Sequence, residues 1–178
     1  MTPAPSAASK FAQENGGLPS ELFQTRHPYP FLLLERGQGT RLEPAELQTF
    51  GGGIPFPETP TATPTVEDVL YPVIAGAGAA ANGKVTIGRS RDNDVVLPYA
   101  QVSKHHATIE PRGRPGAFRI TDTGSTNGTA VNGVPLDPNE HMDLADGDLI
   151  AFGGDLPFRF LLPETLHLWL PALGRRAS

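Results

Sequence analysis

From Val66 onward, short apolar runs recur at close intervals with turn residues between them. They are Val69–Ala75, Lys84–Ile87, Asp94–Leu97, His106–Glu110, Ala117–Thr121, Thr129–Val131, His141–Leu144, Asp148–Phe152 and Pro157–Leu162. Each has the length of a strand. Several alternate apolar and polar positions, as at Phe118 and Ile120 or at Phe158, Phe160 and Leu162, which is the two-residue period of a half-buried strand. Asn-Gly pairs at 82–83, 127–128 and 132–133 supply the positive φ angles that tight hairpins need. No helical pattern of useful length interrupts the region, which argues against a parallel sheet with crossover helices. The pattern predicts an all-β fold, an antiparallel β-sandwich, over residues 66–162.

The rest of the chain reads differently. Ten of the 19 prolines fall before residue 65. Residues 1–20, rich in Ala, Ser, Pro and Gly, are expected to be a disordered N-terminus. Residues 21–53 form an extension with one strand candidate, Phe31–Leu34, and a short helix candidate from Pro44 to Phe50, which the Gly51–Gly53 run would stop. Residues 54–65, with the stretch PFPETPTATPT, read as an extended Pro/Thr-rich linker. Residues 163–178 are a C-terminal tail. It is expected to form a short helix ending near Pro171, with Leu166, Leu168, Trp169 and Leu170 free to pack on the sandwich or on a partner.

Composition narrows the function. Gly and Pro together make 39 of 178 residues, which fits an ordered core carrying loose segments. The formal net charge of −5 is unfavourable for tracking a nucleic-acid backbone. The chain has no cysteine, which excludes disulfides, thiolate metal sites and cysteine nucleophiles. Neither a secretory signal nor a membrane-spanning run is visible, so a cytoplasmic setting without membrane contact is expected.

Three polar clusters fall in three separate inter-strand regions: Gly88-Arg89, Ser103-Lys104-His105-His106, and Asp122 through Thr129. If these loops meet at one end of the sandwich, they gather a guanidinium, an ammonium, hydroxyls and an amide, with cations and donors in excess of carboxylates. That set suits a phosphate monoester, which carries about −1.5 to −2 charge and three strong acceptor oxygens. Loops held on a rigid sheet are the usual place for such a site.

In Gly88-Arg89, Ser103-Lys104-His105-His106 and Ser125-Thr126-Asn127-Gly128-Thr129, with Asn132-Gly133, the chain resembles the forkhead-associated (FHA) domain family, β-sandwich modules that bind phosphothreonine peptides. The resemblance covers about residues 66–162. It implies that Arg89 is the main phosphate ligand and that Ser103, Lys104 and Thr126 are further ligands. The family often has Arg at the position of Lys104, so a fork of donors becomes a point charge here. Asn127 would bond the peptide main chain, and Gln101 would tune the choice of residues after the phosphothreonine. His106 would tie the loops together, and Gly88 and Gly128 would allow tight turns. Asp122 reads as a loop cap, since a carboxylate facing phosphate would repel it. The implied partners are a phosphothreonine protein and an upstream Ser/Thr kinase, with no catalysis, metal or cofactor.

Other readings are weaker. Gly78 to Val85 matches seven positions of a nucleotide phosphate loop, but Val85 stands where magnesium coordination wants Ser or Thr, and a poor helix start follows. Ser103 and His106 lack the orienting group of a nucleophile–base pair. A phosphate-independent interaction protein on the same fold is the main alternative. Finally, Thr59, Thr61, Thr63 and Thr65 lie in a stretch that a kinase could thread. Eleven extended residues would only just span a small sandwich from end to end, so pairing between two molecules, giving phosphorylation-dependent self-association, looks the easier route.

Overall fold

The computed structural model describes residues 4–34, 68–76 and 83–175. Two sheets pack face to face. The first has seven strands in the order β1 (Ser6–Ala7), β3 (Val69–Pro72), β2 (Phe31–Leu34), β12 (Leu156–Leu161), β11 (Leu149–Phe152), β8 (Thr129–Val131) and β9 (Val134–Pro135). The second has five, in the order β10 (His141–Leu144), β7 (Phe118–Asp122), β6 (Ala107–Pro111), β4 (Val85–Gly88) and β5 (Val95–Val96). Every pairing is antiparallel except β4 with β5. The expected sandwich is therefore formed. A strand, β4, directly follows Lys84, where a nucleotide loop would need a helix.

Strand periodicity explains the core. Leu156, Phe158 and Phe160 point between the sheets and meet Leu32, Leu34, Ile87, Ile109, Ile120, Ile150 and Phe152. Phe158 stacks edge-on against both Phe152 and Tyr71. The outer face of the seven-stranded sheet is also covered. Phe31, Leu33, Leu70 and Leu161 point that way, beneath α1 (Ala8–Asn15), α2 (Ser20–Arg26) and α3 (Pro163–Arg175). This is why Phe31–Leu34 shows no alternation: both of its faces are buried.

Two expectations need correction. Residues 4–20 are not disordered: they contribute β1, which pairs with β3, and helix α1. Ala8 and Ala12, four apart, give α1 a small-residue face, and Phe11 packs against Phe23 and Phe31. The alanines that read as low hydrophobicity are thus what lets this helix come close. The second correction concerns Pro171, which lies inside α3 and does not end it. Leu166, Leu170 and Leu173 form one buried stripe, and their burial offsets the backbone bond that proline cannot make. Leu168 faces outward, 72% exposed. The Pro44–Phe50 helix candidate and the 54–65 linker lie outside the described residues. Among the described residues, no helix is long and apolar enough to cross a membrane.

Candidate functional site

Three loops build the site at one end of the sandwich. The first leaves β4 at Gly88. A Cβ at Gly88 would stand 2.2 Å from the carbonyl oxygen of Lys104, so only glycine lets the second loop come this near. The Arg89 amide then donates to Ser103 O (2.9 Å) and the Ser90 amide to Lys104 O (3.1 Å). Buried Asn93 fastens the same junction, its Nδ2 donating to Ser90 O (2.8 Å) and to Lys104 O (2.7 Å). Asp94 anchors the loop's far side, accepting from the Gly76 amide and from both the amide and hydroxyl of Thr86.

The third loop, between β7 and β8, meets the second at Ser103. The Thr126 amide donates to Ser103 Oγ (2.9 Å), and that hydroxyl donates to Thr126 Oγ1 (3.4 Å). One residue on, Asn127 Nδ2 donates to Gln101 O (3.0 Å). Arg89 is held from below by a bond from Nε to Val102 O (3.2 Å). Arg89, Gln101, Ser103, Lys104, Thr126 and Asn127 are thus brought together. Arg89, Lys104, Thr126 and Asn127 are exposed, and Ser103 is half-buried.

His106 lies beneath this cup, fully buried. Its Nδ1 accepts from the Ser103 amide (3.0 Å), and its Nε2 faces Gly128 O (3.1 Å). A neutral ring with its proton on Nε2 satisfies both bonds. Its own amide donates to Ile87 O, its carbonyl accepts from the Thr123 amide, and the ring packs edge-on against Phe152. One side chain therefore ties the second and third loops to the core. Burial lowers its pKa below the ordinary imidazole value, and this outweighs the opposing pull of the Gly128 carbonyl and Asp122.

Asp122 shapes the third loop. Its Oδ1 accepts from the amides of Gly124 (2.8 Å) and Ser125 (2.7 Å), and its Oδ2 from the hydroxyls of Ser125 and Thr129 (2.6 Å each). Burial pushes its pKa up, but these bonds prevail and hold the carboxyl below the usual range. Its negative charge is thereby satisfied inside the loop. Asp92, in the first loop, sits beside His105 (3.5 Å). Among the described residues, neither Arg89 nor Lys104 is paired with a carboxylate. Asn93 and Asp94 were not singled out from the sequence. Their signal is the polar run Arg91-Asp92-Asn93-Asp94 between two strands, which reads as an ordinary turn until its partners are seen.

Residues 85–153 match the FHA domain family model. The chain carries an FHA domain. Of proteins with similar sequences, the ABC transporter ATP-binding/permease protein Rv1747 of Mycobacterium tuberculosis is 45% identical over 82 residues, covering 46% of this chain and 9% of that protein. The glycogen accumulation regulator GarA of Mycolicibacterium smegmatis is 41% identical over 66 residues, covering 37% of this chain and 39% of GarA. The chain therefore spans well under half the length of these relatives. The solved FHA domain of a hypothetical protein of Arabidopsis thaliana is 32% identical, with 47% of this chain and 70% of that chain covered and a TM-score of 0.42. The matched FHA segment includes all three loops of the cup. The strands β1, β2, β3 and β12 and the helices α1, α2 and α3 fall outside it.

Proposed function

We propose that this chain is a non-catalytic receptor for phosphothreonine peptides, acting in the cytoplasm downstream of a Ser/Thr kinase. FHA domains bind such peptides. The observation that carries the reading for this chain is the cup itself: two cations without a carboxylate partner among the described residues stand beside two hydroxyls that already touch each other. A phosphate brings the negative charge and the acceptor oxygens that this set lacks.

The roles follow from position. Arg89, steadied through Nε, presents its terminal nitrogens as a fork of donors to the phosphate oxygens. Lys104 adds a point charge. The Ser103 and Thr126 hydroxyls donate to remaining oxygens, exchanging their mutual contact for the ligand. Asn127 offers its amide to the peptide main chain and sets register. Gln101, whose carbonyl holds Asn127, lies at the rim where neighbouring peptide residues would pass. His106, Gly88 and Gly128 serve the geometry and do not touch the ligand. Neither Ser103 nor His106 is arranged as a nucleophile with its base, because His106 Nδ1 is already used by the Ser103 amide.

An oriented phosphothreonine peptide array tests this reading, with phosphoserine and unphosphorylated arrays as controls. Retention of phosphothreonine peptides above both controls is expected. Equal retention of unphosphorylated peptides would favour a phosphate-independent interaction surface.

A further inference from the structure

The Asn-Gly pairs of this chain are chemically unequal. An asparagine followed by glycine modifies itself by a known route. The glycine nitrogen, once deprotonated, attacks the side-chain carbonyl carbon, closes a succinimide ring and expels ammonia. Water then opens the ring to aspartate or isoaspartate. Glycine favours the attack because it has no Cβ to obstruct the approach. The step also needs a carboxamide free to turn and a following amide that no acceptor holds, since each hydrogen bond must be given up first. Four such pairs occur, at 15–16, 82–83, 127–128 and 132–133. Asn82 lies outside the described residues.

Two of the remaining three are locked. Asn15 is buried, its Nδ2 donates to Phe11 O (2.9 Å), its Oδ1 stands 3.1 Å from His27 Nε2, and the Gly16 amide is held by Ala12 O (2.7 Å). Asn132 is exposed, but both ends of its carboxamide are fixed. Its Nδ2 donates to Asp148 Oδ1 (2.8 Å), and its Oδ1 accepts from the Leu149 amide (2.9 Å). The Asp148 carboxylate also opposes the anionic nitrogen that would have to form beside it. Asn127 differs on each count. It is exposed, and among the described residues a single bond, from Nδ2 to Gln101 O, holds its carboxamide. The Gly128 amide meets no acceptor among the described residues. No atom beyond its chain neighbours lies within 4 Å of where a Cβ of Gly128 would stand. The cations of the cup, Arg89 and Lys104, favour the negative charge that develops on the attacking nitrogen and then on the carbonyl oxygen.

We propose that Asn127 is a self-modification site: Gly128 N bonds to Asn127 Cγ, ammonia leaves, and hydrolysis puts a carboxylate into the cup. The effect on binding rests on the phosphothreonine reading of the cup, whereas the conversion itself does not. Aspartate at 127 has no N–H for Gln101 O, and its charge repels an incoming phosphate. Isoaspartate also lengthens the main chain just before Gly128, whose carbonyl accepts from the Gly153 amide (3.0 Å) and faces His106 Nε2 (3.1 Å). Ageing of this one residue therefore closes the receptor irreversibly.

The test incubates the full chain in warm, mildly alkaline buffer, with a parallel sample unfolded in urea. Peptide mapping by mass spectrometry follows each Asn-Gly pair, and methyltransferase labelling counts isoaspartate. In the folded chain Asn127 should convert about fivefold or more faster than Asn15 and Asn132, each of which must first give up at least one further hydrogen bond. In urea the three should convert at similar rates. Aged samples are then titrated calorimetrically with a phosphothreonine peptide selected on the array. The binding-competent fraction should fall in step with intact Asn127. An Asn127→Asp chain should bind about tenfold or more weakly, with its melting temperature unchanged. Equal conversion of Asn127 and Asn132 in the folded chain, or an Asn127 that converts only in urea, would overturn the site. Converted chain that binds as tightly as fresh chain would overturn its effect on the cup. Fresh chain that retains no phosphothreonine peptide, while Asn127 still converts selectively, would sink the receptor reading and leave the modification site standing.

Discussion

At the residue scale the account turns on His106. Its ring receives the Ser103 amide and faces the Gly128 carbonyl, so the two loops holding the Ser103 and Thr126 hydroxyls share one buried support. A second proton on the ring would remove the acceptor for Ser103. Because burial lowers the folded-state pKa of His106, the unfolded chain takes up more protons as the solution is acidified. Stability from this source is full above about pH 6.5 and falls as the pH drops below it toward the folded value. Melting temperature should therefore decline from pH 7.5 to 5.5 in the wild type, and decline less in His106→Gln. His27, whose pKa burial also lowers, supplies the part that remains. Identical pH profiles would mean that His106 is not the group responsible. At this scale much of the site was legible. Arg89, Ser103, Lys104, Thr126 and Asn127 stand at spacings that only make sense together. Asn93 and Asp94 were not legible, because their role lies in carbonyls, amides and a hydroxyl that only the folded loops bring near.

At the element scale, the strands of the sandwich were legible from their alternation and from Asn-Gly turns such as Asn132-Gly133, where both residues have positive φ. The unit's extent was not. Phe31–Leu34 joins the sheet between β3 and β12, its end 35 positions before Val69 of β3, and nothing in its own four residues names those partners. The alanine-rich start of the chain became a helix because α3 and the outer sheet face give it something to pack on. These additions are large in energy. Burying Phe31, Leu32, Leu33 and Leu34 contributes about 1.5–3 kcal/mol each, a sum comparable to the whole stability of a small domain. A fragment of residues 66–162, the unit the sequence suggests, should therefore lack a cooperative urea transition and bind a hydrophobic dye, while the full chain unfolds in one step. A fragment as stable as the full chain would show that the outer layer is dispensable.

At the scale of the whole molecule, a chain with net charge −5 is proposed to bind an anionic ligand. Local arrangement reconciles the two. Asp122 spends its charge on four internal donors, Asp92 lies beside His105, and Arg89 and Lys104 face solvent together. A focused field in a small site outweighs the sign of the total. The most direct test is calorimetric titration of a phosphothreonine peptide selected on the array into wild type and Arg89→Ala, with melting temperature measured in parallel. Removing one partner of a hydrogen-bonded charge pair costs about 2–5 kcal/mol, so affinity should fall about thirtyfold or more with the melting temperature unchanged. Equal affinities in the two proteins would contradict the assignment of the cup to phosphate.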